Sequence, residues 1–202
     1  MKYTLSSALC LLGMAATAQA DIIYSGPLDQ QVGINDPATV EINGYEWEFG
    51  ILEGGPLEYA YISANNAGAG VFVELTDVYM ARNFTEGANI GTLTSVLNMY
   101  PTGGGEVFNH TMHDYIDGSG QFDAPGSGYV AFGFGGGIDF NYGWMSFELT
   151  GDEEPTITLT GWAYNDVVNG SITAGQMAAV PGPAAAAAAF GLFGIRRNRR
   201  RG

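Results

Sequence analysis

The stretch TVEINGYEWEFGIL, Thr39 to Leu52, constrains the fold of this chain more than any other. Asn43-Gly44 is the favoured pair for a two-residue type I′ turn, and period-2 alternation flanks it on both sides. Pairing Ile42 with Tyr45 places Val40 opposite Trp47 and carries the apolar stripe through Phe49 and Ile51 on one face. The other face then carries Glu41 across from Glu46, with Glu48 next along. Like charges directly opposed cost stability, so that face belongs in solvent. A hairpin with one apolar face cannot stand alone and needs a second layer to cover it.

Further strands are predicted in DIIYS from Asp21, LEYAYIS from Leu57, GVFVEL from Gly70, GYVAFGFG from Gly128, YGWMSFEL from Tyr142 and TITLTGWAY from Thr156. Gly, Asn, Asp and Pro clusters separate them, and one helix is predicted over Gly91–Tyr100. Many short strands with few helices define an all-β class, an antiparallel β-sandwich of jelly-roll-like or similar topology. No internal period supports a repeat solenoid. Aromatic residues make up 12 % of the chain and sit within the alternating patterns, which excludes a disordered chain. The glycine-rich stretch GFGGG, Gly133 to Gly137, has no Lys-Ser or Lys-Thr after it, so it is expected to bend a strand and not to hold phosphate.

The two ends read differently from the middle. Residues 1–20, MKYTLSSALCLLGMAATAQA, carry one early cation, Lys2, an apolar run, and small residues Ala18 and Ala20 before Asp21. That is the pattern of a secretory signal peptide cut between Ala20 and Asp21 by signal peptidase. Cys10 is the sole cysteine and leaves with it, so the body has no disulfide and must be held by a packed core. The body, residues 21–176, has 21 carboxylates against the single Arg82, a net charge of −20. A surface of that sign repels nucleic acid and anionic membrane. Residues 177–202 hold Pro181, Pro183, an Ala-rich apolar stretch to Ile195, and then Arg196, Arg197, Arg199, Arg200 and Arg201. From Ala184 to Ile195 a helix spans only about 18 Å, a short transmembrane helix at most. The arginines supply the stop-transfer charge, so the acidic body is exported and held at the inner membrane from outside.

The Pro motif, apolar helix and terminal basic cluster together resemble the PEP-CTERM sorting signals that exosortases process in Gram-negative bacteria. The motif residues are Val180, Pro181, Pro183 and Ala184, and the position between the prolines, Glu in the usual form, is Gly182 here. The resemblance implies processing by the usual exosortase-type enzyme or a variant of it, followed by display at the cell surface or release. A second segment, GYVAFGFGGGIDFNYGWMSFEL with ITLTGWAYNDVVNGSITAGQ, is similar to a stretch frequent just before such tails, with Asn165 where the family often has Glu. It implies a fold and an export route, and it assigns no catalytic residue.

Candidate sites in the body are few. YIDGSGQFD places Asp117, Ser119 and Gln121 at EF-hand positions three, five and seven, but Tyr115 and Gly126 stand where that loop needs its anchoring carboxylates. A hairpin loop is expected there, with Asp114, Asp117 and Asp123 as the ligands of a weak calcium site and no other cofactor. His110 and His113 fall on opposite faces of any strand, and neither a zinc-protease spacing nor a G-x-S-x-G element is present. The expected function is therefore a non-catalytic envelope or extracellular matrix role. The alternatives are a carbohydrate-binding module, with Tyr45, Trp47, Tyr59, Tyr61, Trp144, Trp162 and Tyr164 as candidates to meet extracellular polysaccharide, and a secreted hydrolase.

Overall fold

The computed structural model of the chain describes residues 21–54, 57–74, 77, 79–91, 99–101, 109–151 and 153–178, among which there are strands and turns and no helix. In chain order the strands are β1 (Ile22–Tyr24), β2 (Gln30–Val32), β3 (Ala38–Ile42), β4 (Tyr45–Gly54), β5 (Leu57–Ala64), β6 (Ala69–Phe72) and β7 (Asn83–Phe84). After them come β8 (Asn89–Ile90), β9 (Met99–Pro101), β10 (His110–Asp114), β11 (Gly126–Gly136), β12 (Asp139–Leu149), β13 (Ile157–Asn165) and β14 (Ile172–Thr173). Segment 1–20 and the sorting motif from Val180 onward lie outside the described residues, as does most of the helix predicted over Gly91–Tyr100. The last two positions of that helix, Met99 and Tyr100, pair with Phe72 and Val71 in β9. Strand pairing there overrides the local helical pattern.

The Asn43-Gly44 turn forms as its residues demand. Both have positive φ, 53° and 81°, which is the type I′ geometry that matches strand twist. Its register is Ile42 to Tyr45, Glu41 to Glu46, Val40 to Trp47 and Ala38 to Phe49. β4 then pairs with β5 and β5 with β10, giving a four-stranded antiparallel sheet in the order β10-β5-β4-β3. The other sheet runs β1-β13-β12-β11-β6-β9, with β2 also on β13 and β7 also on β11.

The two sheets share one buried cluster. Trp47, Phe49, Ile51 and Ile62 of the small sheet join Val130, Phe132, Phe134, Met145, Phe147, Leu149, Ile157 and Leu159 of the large one. Rings interlock across the gap, Trp47 to Phe132 at 4.9 Å between centroids and Phe49 to Phe147 at 5.4 Å. Burying one such side chain stabilises by about 1.5–3 kcal/mol, and an aromatic pair adds about 0.5–1.5 kcal/mol. Without a cysteine in the body, these contacts take the place of cross-links.

The far side of the large sheet is also covered. Phe72, Phe84, Ala131, Tyr142, Trp144 and Ala163 form a second cluster with Ile90, Ile172 and Ala174, which belong to the β8–β14 ribbon and the turn after it. A bulge lets β13 serve both clusters. Its register on β12 shifts between Ser146 and Phe147, so Leu159 faces the shared core while Ala163 faces the second one. The strands of GYVAFGFGGGIDFNYGWMSFEL and ITLTGWAYN meet here, and Gly143 shows why the first needs glycine. A Cβ on Gly143 would lie 2.3 Å from the Phe132 ring and 2.6 Å from the Ala163 carbonyl oxygen.

Candidate functional site

The loop after β10 is held by its own carboxylates. Asp114 accepts the N–H of Ile116 at 2.8 Å and of Asp117 at 3.4 Å, and Asp117 accepts that of Ser119 at 2.8 Å. These bonds make Asx-type turns. The hydrogen bonds from Ser119 hold the Asp117 carboxyl below the usual carboxylate range. Asp123 follows the loop, exposed, and its backbone carbonyl packs under Gly126. Among the described residues no three His, Asp or Glu side chains gather as a metal site.

On the outer face of the small sheet Glu41 and Glu46 stand opposite one another, as the hairpin register requires. Both are exposed, and Asn65 Nδ2 donates to Glu46 Oε1 at 2.8 Å. Glu48 accepts a 2.7 Å hydrogen bond from the Tyr61 hydroxyl. Burial, that bond and the Glu48 charge push the Tyr61 hydroxyl well above its usual range.

The histidines differ from the expectation. A bulge between Thr111 and His113 inserts Met112, so His110 pairs with Ile62 and His113 with Ala60, two residues apart on one face. Both rings therefore turn toward the core, His110 fully buried and His113 nearly so. His113 Nδ1 lies 2.7 Å from the Phe122 carbonyl oxygen, and its ring meets Tyr115 edge-on.

The seven aromatic candidates separate by burial. Trp47, Trp144 and Tyr61 are buried, whereas Tyr45, Tyr59, Trp162 and Tyr164 are half-buried. Trp162 and Tyr164 stack in parallel at 6.2 Å, and Tyr164 also meets Phe134, which ties the pair to the shared core.

Among the described residues a depression brings in Tyr24, Glu86 and Tyr129, which the sequence reading did not single out, beside Trp144, which it did. On the outer side of the large sheet Tyr129 separates two lobes. The smaller, about 60 Å³, is lined by Tyr24, Tyr129, Trp144, Ser146, Thr160, Gly161 and Met177. Its rings pack at 5.4 Å for Tyr129 with Trp144 and 6.1 Å for Tyr24 with Trp144. Its polar wall is Ser146 and Thr160, whose hydroxyls meet at 2.7 Å. Trp144 Nε1 donates to the Gln176 carbonyl at 3.2 Å, which fastens Gln176 beside the cleft. The larger lobe, about 320 Å³, is lined by Asn83, Phe84, Thr85, Glu86, Ser127, Gly128 and Tyr129. Asn83 is committed to structure, since its Oδ1 accepts the Tyr129 N–H at 3.2 Å and its Nδ2 donates to the Gln121 carbonyl at 3.1 Å. Burial, with the charges of Glu86 and Tyr24, raises the Tyr129 hydroxyl above its usual range.

One signal in the sequence points to this cleft. In GYVAFGFG the alternation sends Val130, Phe132 and Phe134 to one face, which leaves Tyr129 as a large ring on the other. No family model, curated protein or solved structure matches this chain.

Proposed function

We propose that the two sheets form a β-sandwich and that this domain is an exported, non-catalytic module of the cell surface or extracellular matrix. A signal peptidase removes residues 1–20, and an exosortase-type enzyme acts at the Val180–Ala184 motif while Arg196 to Arg201 hold the tail at the inner membrane. The carrying observation is charge segregation, with all 21 carboxylates between Asp21 and Val180 and five of seven basic residues in the last seven positions. Two hydrogen bonds near the expected cuts are consistent with it. The Asp21 N–H is bonded to Asp166 at 2.8 Å directly after one expected cut, and the Gln176 carbonyl is bonded to Trp144 four residues before the sorting motif. A saccharide-binding role fits within this function and is favoured by the aromatic cleft around Tyr129.

Expression of the full chain in a Gram-negative host with and without an exosortase-type enzyme tests the assignment. The expected result is enzyme-dependent shortening and transfer from inner membrane to surface or medium. Identical size and fraction in both hosts would overturn it.

A further inference from the structure

We propose that the two-lobed cleft around Tyr129 is a binding site for a neutral oligosaccharide, and this rests on the assignment of the chain as a non-catalytic surface module. The argument begins with the mixed character of the walls. Tyr129 offers a half-buried ring to both lobes, and Phe84 lies beside it. Opposite polarity arrives at the same place through Thr85, Glu86 and Ser127, all exposed. Among the described residues none of these three side chains, nor the Tyr129 hydroxyl, has a protein hydrogen-bond partner. A ligand for such walls needs an apolar face for the ring and an edge of hydroxyls for the polar groups. A pyranose has both.

Other ligand classes fit less well. Among the described residues Glu86 is the only charged side chain lining either lobe, and the body carries −20, so an anionic ligand would be repelled. A divalent cation would find one carboxylate there, far short of the oxygen set that calcium takes. A purely apolar ligand would strip water from Glu86 and return nothing for it. The larger lobe, at about 320 Å³, sits at the small end of ligand pockets, which run from about 300 to 1,000 Å³. It suits one sugar unit, and the lobe beyond Tyr129 gives the chain a direction of extension across Ser146 and Thr160.

The test titrates the full chain, purified in detergent, with cello-, manno- and xylo-oligosaccharides and with an oligogalacturonate as the anionic control, by calorimetry. Binding of at least one neutral probe is expected. Glu86→Gln and Ser127→Ala, both at exposed positions, should each weaken it about fivefold or more with unchanged melting temperature, since the first turns a charge-assisted hydrogen bond to the ligand into a weaker neutral one and the second removes a hydrogen bond. Tyr129→Ala should weaken it more, and Glu41→Gln on the opposite sheet should change nothing. No binding to any neutral probe at 10 mM, on the order of the weakest specific affinities, overturns the proposal. So does binding that ignores Glu86→Gln and Ser127→Ala, or preference for the anionic probe. Export and tail processing are read in the fractionation experiment, so failure of sugar binding leaves that assignment standing.

Discussion

Replacing Gly143 by Ala tests whether the large sheet is as tightly determined as its contacts indicate. A new Cβ would stand 2.3 Å from Phe132 Cζ, where ordinary contact begins at 3.4 Å, so the ring must withdraw by about 1 Å. It has nowhere to go. Phe132 is fully buried, with Trp47 at 4.9 Å and Phe134 stacked at 6.1 Å. The same Cβ would press on the Ala163 carbonyl oxygen at 2.6 Å, a backbone atom of the paired strand that no rotamer change can move. Overpacking a dense core costs about 1–3 kcal/mol, and the second collision places this site at about 3 kcal/mol. For a domain of this size that is a drop in melting temperature of roughly 6–12 °C. The assay is thermal and urea unfolding of the full chain followed by near-ultraviolet circular dichroism. Gly33→Ala is the control, because nothing lies within 4 Å of its added Cβ and its φ is unstrained. Phe132→Leu in the Gly143→Ala background should recover part of the loss, a coupling expected only between neighbours. A Gly143→Ala variant that melts within about 2 °C of the parent would refute the packing argument, since that corresponds to less than about 1 kcal/mol.

The mature chain should begin at Asp21, and cleavage there would turn its N–H into an ammonium 2.8 Å from Asp166 Oδ1. N-terminal sequencing checks the cut, and nuclear magnetic resonance should find the α-amino pKa above the usual 7.7–8.0 and restored to it by Asp166→Asn. Tyr61 donates to Glu48, and its raised hydroxyl means the folded state keeps a proton that the unfolded chain releases. That stabilisation is present below about pH 10, the unfolded value, and is lost as pH rises above it; Tyr61→Phe should flatten this part of an alkaline denaturation curve. Asp114→Ala should cost about 1 kcal/mol in urea unfolding by freeing the turn N–H groups, while Asp114→Asn keeps most of it. For calcium at Asp114, Asp117 and Asp123, millimolar calcium should raise the melting temperature beyond sodium at matched ionic strength; equal effects would dismiss the site. Changing Arg196, Arg197, Arg199, Arg200 and Arg201 to Gln should let the tail slip through the membrane, and unchanged retention would exclude charge as the stop.

What the sequence determines by itself is what near neighbours decide. The Asn43-Gly44 turn and the Val40–Trp47 register follow from turn chemistry and alternation, and so do the core faces of β4, β11 and β12. The direction of charge along the chain is likewise plain in the sequence, and with it the expectation of export. Tertiary structure decides what depends on distant partners. HTMHD has no apolar alternation, yet it becomes β10 because the edge of β5 offers a ladder, and the bulge at Met112 sends both histidines inward. Trp144 sits on the face of β12 that alternation assigns to solvent, yet it is 1 % exposed because Ile172 and Ala174 fold back over it. The same return of the chain creates the cleft, since Tyr24, Glu86 and Tyr129 approach only when the N-terminal strand, the β7–β8 turn and β11 meet on one sheet. Burial on a second face is a long-range property. A two-residue period records only that a side chain alternates, and the partner that covers it is chosen by the rest of the chain.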